Sequence, residues 1–168
     1  MKQGPRYYIK PRRRRESKTN YRRRLKLLKS RKIRIVVRNS LKNIYVQFVE
    51  YNEIGDKILA SAVSKELVQN YKWNFSTSTT PAAYLTGLLA AKRARENGIN
   101  EGVLDIGLKT PAKGSKVFAA LKGVLDAGID CPHSDDKLPS EDRLLGKHLD
   151  EKITNNVTNI KSKLIGDK

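Results

Sequence analysis

Apolar side chains recur along this chain with two periods, and the change from one to the other marks the elements. From Ile33 the sequence alternates, with Ile33, Ile35 and Val37 on one side of an extended chain. After the turn-forming stretch Asn39-Ser40-Leu41-Lys42-Asn43 the alternation resumes with Ile44, Val46 and Phe48. Period two over 33–38 and 44–50 predicts a β-hairpin whose core side holds those apolar residues, while Arg34, Val36, Arg38, Tyr45 and Gln47 face the other way. A third strand is predicted over 57–64, then a short helical turn at 66–71 and two core aromatics, Trp73 and Phe75. Thr80 before Pro81 supplies an N-cap and a first-turn proline. Tyr84, Leu85, Leu88, Leu89 and Ala91 then form a helical stripe that ends at Asn97-Gly98. A buried strand is predicted over 103–108, and Val117, Phe118, Leu121, Val124 and Leu125 predict an amphipathic helix closed at Gly128. Beyond Ile129, a helix capped by Ser140 carries Leu144, Leu145, Leu149 and Ile153 for packing, and the Asn- and Lys-rich stretch 154–168 is expected to fray. Strands interleaved with helices predict an α/β fold: a compact mixed sheet with packed helices.

Charge changes this picture at one end. The 168 residues hold 35 Lys and Arg against 17 Asp and Glu, a net charge of +18, with a sequence pI near 10.1. Residues 1–34 carry 16 of the basic residues and a single acid, Glu16, so the remainder of the chain is only +3. A segment that repels itself this strongly and holds few apolar groups, with Pro5, Pro11 and the run Arg12-Arg13-Arg14-Arg15, is expected to be extended and weakly ordered when free. Concentrated positive charge of this kind is a footprint for nucleic acid. Over 21–32, Tyr21, Leu25 and Leu28 form a stripe expected to dock on the domain, leaving Arg22, Arg23, Lys26 and Lys29 facing outward. Three apolar residues bury too little to hold a bilayer. A single cysteine excludes an internal disulfide framework, and no apolar run reaches the roughly 18 residues of a membrane span. With no apolar leader core in the first 25 residues, a cytosolic protein is expected. The chain divides into a basic arm with a short helix (1–32), an α/β RNA-binding domain (33–129) and an acidic helical C-terminal extension (130–168). Residues 130–151 hold seven acids and three bases, a surface better suited to a basic protein than to RNA.

Candidate chemistry is sparse. Cys131, His133 and His148 are too few for a tetrahedral zinc site and lack paired CxxC spacing, so no metal is expected. The same residues read as packing and surface rather than as a nucleophile and its base. Asp135, Asp136, Glu141 and Asp142 have the chemistry to hold magnesium, but acids ahead of a helix more often serve its positive N-terminus. The stretch GLKTPAKGSK, 107–116, misses the phosphate-loop motif: six residues separate its glycines, and Ser115 precedes Lys116. It still sets Lys109, Thr110, Lys113, Ser115 and Lys116 at a helix N-terminus, which favours an anion such as an RNA phosphate. The sequons at Asn74 and Asn156 are chance matches in a cytosolic protein.

Four stretches, in order, carry a resemblance over nearly the whole chain: YRRRLKLLKSRKIRIVVRNSLKNIYVQ, TPAAYLTGLLAAKRA, KTPAKGSKVFAALKGVLDAGI and PSEDRLLGKHL. Together they resemble the large-subunit ribosomal protein family that binds 5S ribosomal RNA, numbered eighteen in bacteria and five in eukaryotes. The length and the acidic extension are similar to archaeal members. The resemblance implies a non-catalytic, cofactor-free structural protein of the cytoplasmic ribosome. Its partners would be 5S rRNA, large-subunit rRNA and neighbouring proteins of the central protuberance, including the other 5S-binding protein. Carried onto this sequence, the RNA-contacting region falls on Tyr7, Tyr8, Lys10, Arg12, Arg13, Arg14, Arg15, Tyr21, Arg22, Arg23, Arg24, Lys26, Arg34, Arg38, Lys42, Asn43 and Tyr45. Lys18 and Lys29 join this set by their charge, and Lys109, Lys113 and Lys116 by their helix terminus. The competing readings are a nuclease using Asp105, Asp135 or Asp136 and a DNA-compacting protein indifferent to sequence.

Overall fold

Alternation sets the strands, and the hairpin forms in the expected register. The computed structural model describes Gly4 and residues 7–166. Strands β1 (Arg34–Asn39) and β2 (Ile44–Glu50) pair antiparallel, with Ile35 opposite Phe48, Val37 opposite Val46 and Arg38 opposite Tyr45. Ile35, Val37, Ile44, Val46 and Phe48 are fully buried on one face. β3 (Lys57–Val63) pairs antiparallel with β2, and the short β4 (Val103–Asp105) pairs parallel with β1, giving the order β3-β2-β1-β4. Alternation puts buried Val49 on the second face, and a break in the β2–β3 register after Phe48, which skips Leu59, brings Ile58 opposite it. The strand expected to run to Leu108 ends at Asp105. There the Asp105 side chain accepts the Gly107 N–H at 2.8 Å, and Gly107 takes a φ of +65°, which leads the chain out of the ladder.

Helices cover the core face. α3 (Ser64–Tyr71) begins two residues earlier than expected because Glu66 accepts the Val63 N–H at 2.9 Å and closes the first turn. Trp73 behind it is fully buried and meets Phe75 edge to face. α4 (Thr80–Glu96) is capped by Thr79 rather than Thr80: the Thr79 hydroxyl accepts the Ala82 N–H, and Pro81 still falls in the first turn. The expected stripe on α4 is in fact a full circumference. Every residue from Thr80 to Ala91 is buried, because α4 packs against β2, β3 and α3, against α5 (Lys116–Asp126), and against α6 (Glu141–Leu145) and α7 (Glu151–Gly166). It is the central helix of the fold.

The C-terminal segment departs furthest from expectation. The single helix over 140–153 is broken at Gly146, which has a φ of +78°, and Leu149 in the connection is half exposed. Instead of fraying, the chain forms α7, whose Ile153, Val157, Ile160 and Leu164 are all buried against the core. Residues 167–168 lie outside the described residues, as do 1–3, 5 and 6 of the arm.

α4 and α5 approach until their backbones nearly touch. A methyl group built on Gly87 would lie 2.1 Å from the Ala120 carbonyl oxygen, and one on Gly123 would lie 2.2 Å from that of Tyr84. Alanine normally gains about 1 kcal/mol over glycine inside a helix. Overpacking costs about 1–3 kcal/mol, and more where the obstacle is backbone that cannot rotate away. Gly87→Ala is therefore expected to lower the melting temperature, by about 4–8 °C for a net loss near 2 kcal/mol in a chain of this size. Thermal unfolding followed by circular dichroism measures this, and an unchanged or raised midpoint would show that the helices can part freely.

Candidate nucleic-acid interface

On the sheet face opposite α4, no helix of the described residues packs closely against the strands. There α2 (Tyr21–Lys29) stands over the strands and leaves between them a groove of about 1010 Å³. Asn20 caps α2 by accepting the Arg23 N–H at 3.1 Å. Only Leu28 of the expected stripe is half-buried: Tyr21 and Leu25 are exposed at 40% and 57%, while Arg24 and Leu27, which line the groove, are half-buried in their place. Apolar Val36, Val49, Ile58 and Ile106 line the groove together with charged Arg34, Arg38, Asp56 and Asp105 of the sheet side, and Arg13, Lys18, Arg23, Lys26 and Lys109 add further cations.

Beneath α2 lies an ion network that alternation alone could not foresee. Arg34, expected on the open face beside RNA, is 3% exposed. Its guanidinium donates to Asp105 at 3.1 Å and to Asp56 at 2.6 Å, so it is not an accessible cation. Asp56 also takes Arg24 of α2, with both oxygens at 2.9 and 3.0 Å, and Asp105 takes Arg38 at 2.9 Å. Arg38 remains 43% exposed along its side chain. Burial alone would push the pKa of both carboxylates up. The surrounding guanidiniums outweigh it, Arg24 and Arg34 at Asp56 and chiefly Arg38 at Asp105, and hold both below the ordinary value of 3.8.

The other expected contact residues sort by surroundings. Within the arm, α1 (Arg12–Arg15) is a single helical turn where extended chain was expected. Arg12 and Lys18 pair with Glu16, and Arg13 donates to Thr19. Lys10, Arg14, Arg15, Arg22, Arg23, Lys26 and Lys29 are exposed, and among the described residues none of them meets a carboxylate. Tyr7 and Tyr8 are 56% and 68% exposed, and Tyr45 is 39% exposed across from Arg38. Lys42 is exposed, whereas Asn43 is tied into the hairpin turn, where its carbonyl accepts from Ser40. Of the loop before α5, Lys109 lines the groove and Lys113 is exposed, but Lys116 donates to Ser78 at 3.2 Å.

The residues of the rival readings are engaged elsewhere. Asp105 belongs to the ion network, while Asp135 stands 95% exposed in a one-turn 3-10 helix. His133 touches the Cys131 carbonyl at 2.7 Å, and burial pushes the Cys131 thiol up to about 11, which suits packing rather than nucleophilic attack. Among the described residues no three His, Cys, Asp or Glu side chains gather as metal ligands, and no helix is long and apolar enough to cross a membrane.

A sheet with one face packed on helices and the other overhung by a cationic arm defines an α/β domain built to meet a polyanion. The model of the ribosomal large subunit proteins 60S L5 and 50S L18 matches residues 5–103 and 95–134, and the chain belongs to that family. It is 54% identical over 149 residues to large ribosomal subunit protein uL18 of Korarchaeum cryptofilum, covering 89% of this chain and 76% of that one. The uL18 proteins of Aeropyrum pernix and Haloarcula marismortui are each 52% identical, over 89% and 90% of this chain and 70% and 80% of their own lengths. Membership makes the chain a structural, non-enzymatic component of the large subunit of the cytoplasmic ribosome.

Proposed function

We propose that the protein binds 5S rRNA and helps attach it to the large-subunit rRNA of the central protuberance, beside a second 5S-binding protein. The observation that carries this reading is the groove: apolar side chains lie beside cations of which Arg13, Arg23, Lys26 and Lys109 meet no carboxylate among the described residues, with exposed tyrosines on the same arm and hairpin. The arm residues Lys10, Arg12, Arg13, Arg14, Arg15 and Lys18, with Arg22, Arg23, Lys26 and Lys29 of α2, neutralise phosphates. Lys42, Lys109 and Lys113 add to them from the sheet side. Tyr7, Tyr8, Tyr21 and Tyr45 stack on unpaired bases, an interaction that phosphate pairing does not replace.

Competition binding of 5S rRNA against a tRNA at several salt concentrations tests this reading. Tyr45→Ala is expected to weaken 5S binding by about 1–3 kcal/mol with little change in salt slope. Arg23→Gln is expected to weaken binding to every RNA and lower the slope by about one. Equal affinity for tRNA and 5S rRNA would reject the assignment.

A further inference from the structure

Carboxylates repel RNA, yet Asp56 lines the proposed RNA groove. It occupies the connection between β2 and β3 and joins two cations from different elements: Arg24 of α2, held by both carboxylate oxygens, and Arg34 of β1. Arg34, on the inner strand β1, continues to Asp105 of the edge strand β4, so the contacts run unbroken from the helix across two strands of the sheet. α2 has little else to fix it. None of its residues is fully buried, and Leu27 and Leu28 supply only half-buried apolar contact. Its trailing end is tied where Lys32 pairs with Glu101 and the chain enters β1. A helix tied at one end and resting on two leucines pivots unless a second point holds it. The Arg24–Asp56 pair is that point.

We propose that Asp56 is a positioning residue for RNA binding: through Arg24 it sets the angle at which α2 presents Arg23 and Lys26 over the sheet. The proposal rests on the RNA-binding reading above and adds a role for residues that touch no RNA. It also opposes simple electrostatics. Were Arg24 a phosphate contact, Asp56 would compete with RNA, and Asp56→Asn would tighten binding by deleting a negative charge and releasing a cation. A positioning role requires the reverse: binding weakens although the protein becomes more positive, because the cations lose the preorganisation that spares ordering cost on binding.

The test titrates the full-length chain with 5S rRNA, comparing wild type, Asp56→Asn, Arg24→Gln and the double variant. Each single variant is expected to bind about tenfold more weakly, since ordering a freed element costs on that scale. The double variant is expected to bind no more weakly than either single one, and the salt slope of Arg24→Gln should match wild type. Arg24→Gln leaves the Asp56–Arg34 and Asp105–Arg34 pairs intact, so it carries the test even where Asp56→Asn compromises the sheet. Binding by Asp56→Asn at wild-type strength or tighter, or a slope lowered by about one in Arg24→Gln, would overturn the positioning role. Wild-type protein that fails to prefer 5S rRNA over tRNA would instead overturn the functional reading, so the two failures are distinct.

Discussion

Deleting residues 1–19 is expected to weaken binding to 5S rRNA by two to three orders of magnitude, roughly, near physiological salt, while the domain stays folded. The segment holds eight basic residues and one acid. Each phosphate neutralised on duplex nucleic acid contributes about 0.9 to the slope of log affinity against log salt. If half or more of these cations meet phosphates, the slope falls by about four units or more. Folding should survive because the side-chain contacts of Arg12, Arg13 and Lys18 all end within the arm, on Glu16 and Thr19, and α1 has no buried residue. Filter binding at several salt concentrations, with circular dichroism of the truncated chain, measures both halves of the prediction. A truncated protein that stays folded and keeps the full salt slope would mean that the arm does not engage the RNA backbone.

The parts of this fold that were legible in the sequence share one property: their signal is local. Alternation sufficed for β1 and β2 and for the side on which Ile35, Val37, Ile44, Val46 and Phe48 are buried, because a half-buried hairpin tolerates no slip of register. The helical spacing of Val117, Leu121 and Val124 sufficed for α5 in the same way. α7 carried the same kind of signal in weaker form. Ile153, Val157, Ile160 and Leu164 are spaced for one helix face, but Asn, Thr and Lys between them lower the mean hydropathy, and composition spoke against order. On α2, the half-buried residues are Arg24 and Leu27 beside the expected Leu28, and a face that includes a charge does not read as a hydrophobic stripe. The burial of Arg34 was out of reach because period two assigns a face and not a depth. What covers Arg34 arrives from 22 and 71 residues away, in Asp56 and Asp105. The surplus of basic residues drew attention to cations, whereas two acids, Asp56 and Asp105, decide whether Arg24, Arg34 and Arg38 remain free.

Those acids also set the largest expected loss of stability. Asp105 accepts from Arg34 and Arg38 and from the Gly107 N–H, and the Arg34 side chain is 3% exposed. A buried pair adds little net stability over apolar residues of the same shape, but removing one member strands the other charge at a cost of about 3–5 kcal/mol. Arg34 keeps Asp56, which puts Asp105→Ala near the lower limit, about 3 kcal/mol, or a midpoint lowered by about 6–12 °C in a chain of this size. Replacing both partners, as Arg34→Met with Asp105→Ala, removes the stranded charge and is expected to recover at least about 1 kcal/mol of that loss. The pH dependence follows from the direction of the shift. Because the folded state holds the Asp105 pKa below the ordinary 3.8 of the unfolded chain, the carboxylate stabilises the fold in full above 3.8 and loses that contribution as the pH falls through the depressed value. The gap in melting temperature between wild type and Asp105→Asn should therefore be constant from neutral pH down to about pH 5 and narrow below 3.8. A gap of less than about 0.5 kcal/mol at neutral pH is the range of an exposed ion pair; it would mean that solvent screens the network and that Arg34 is not committed to it.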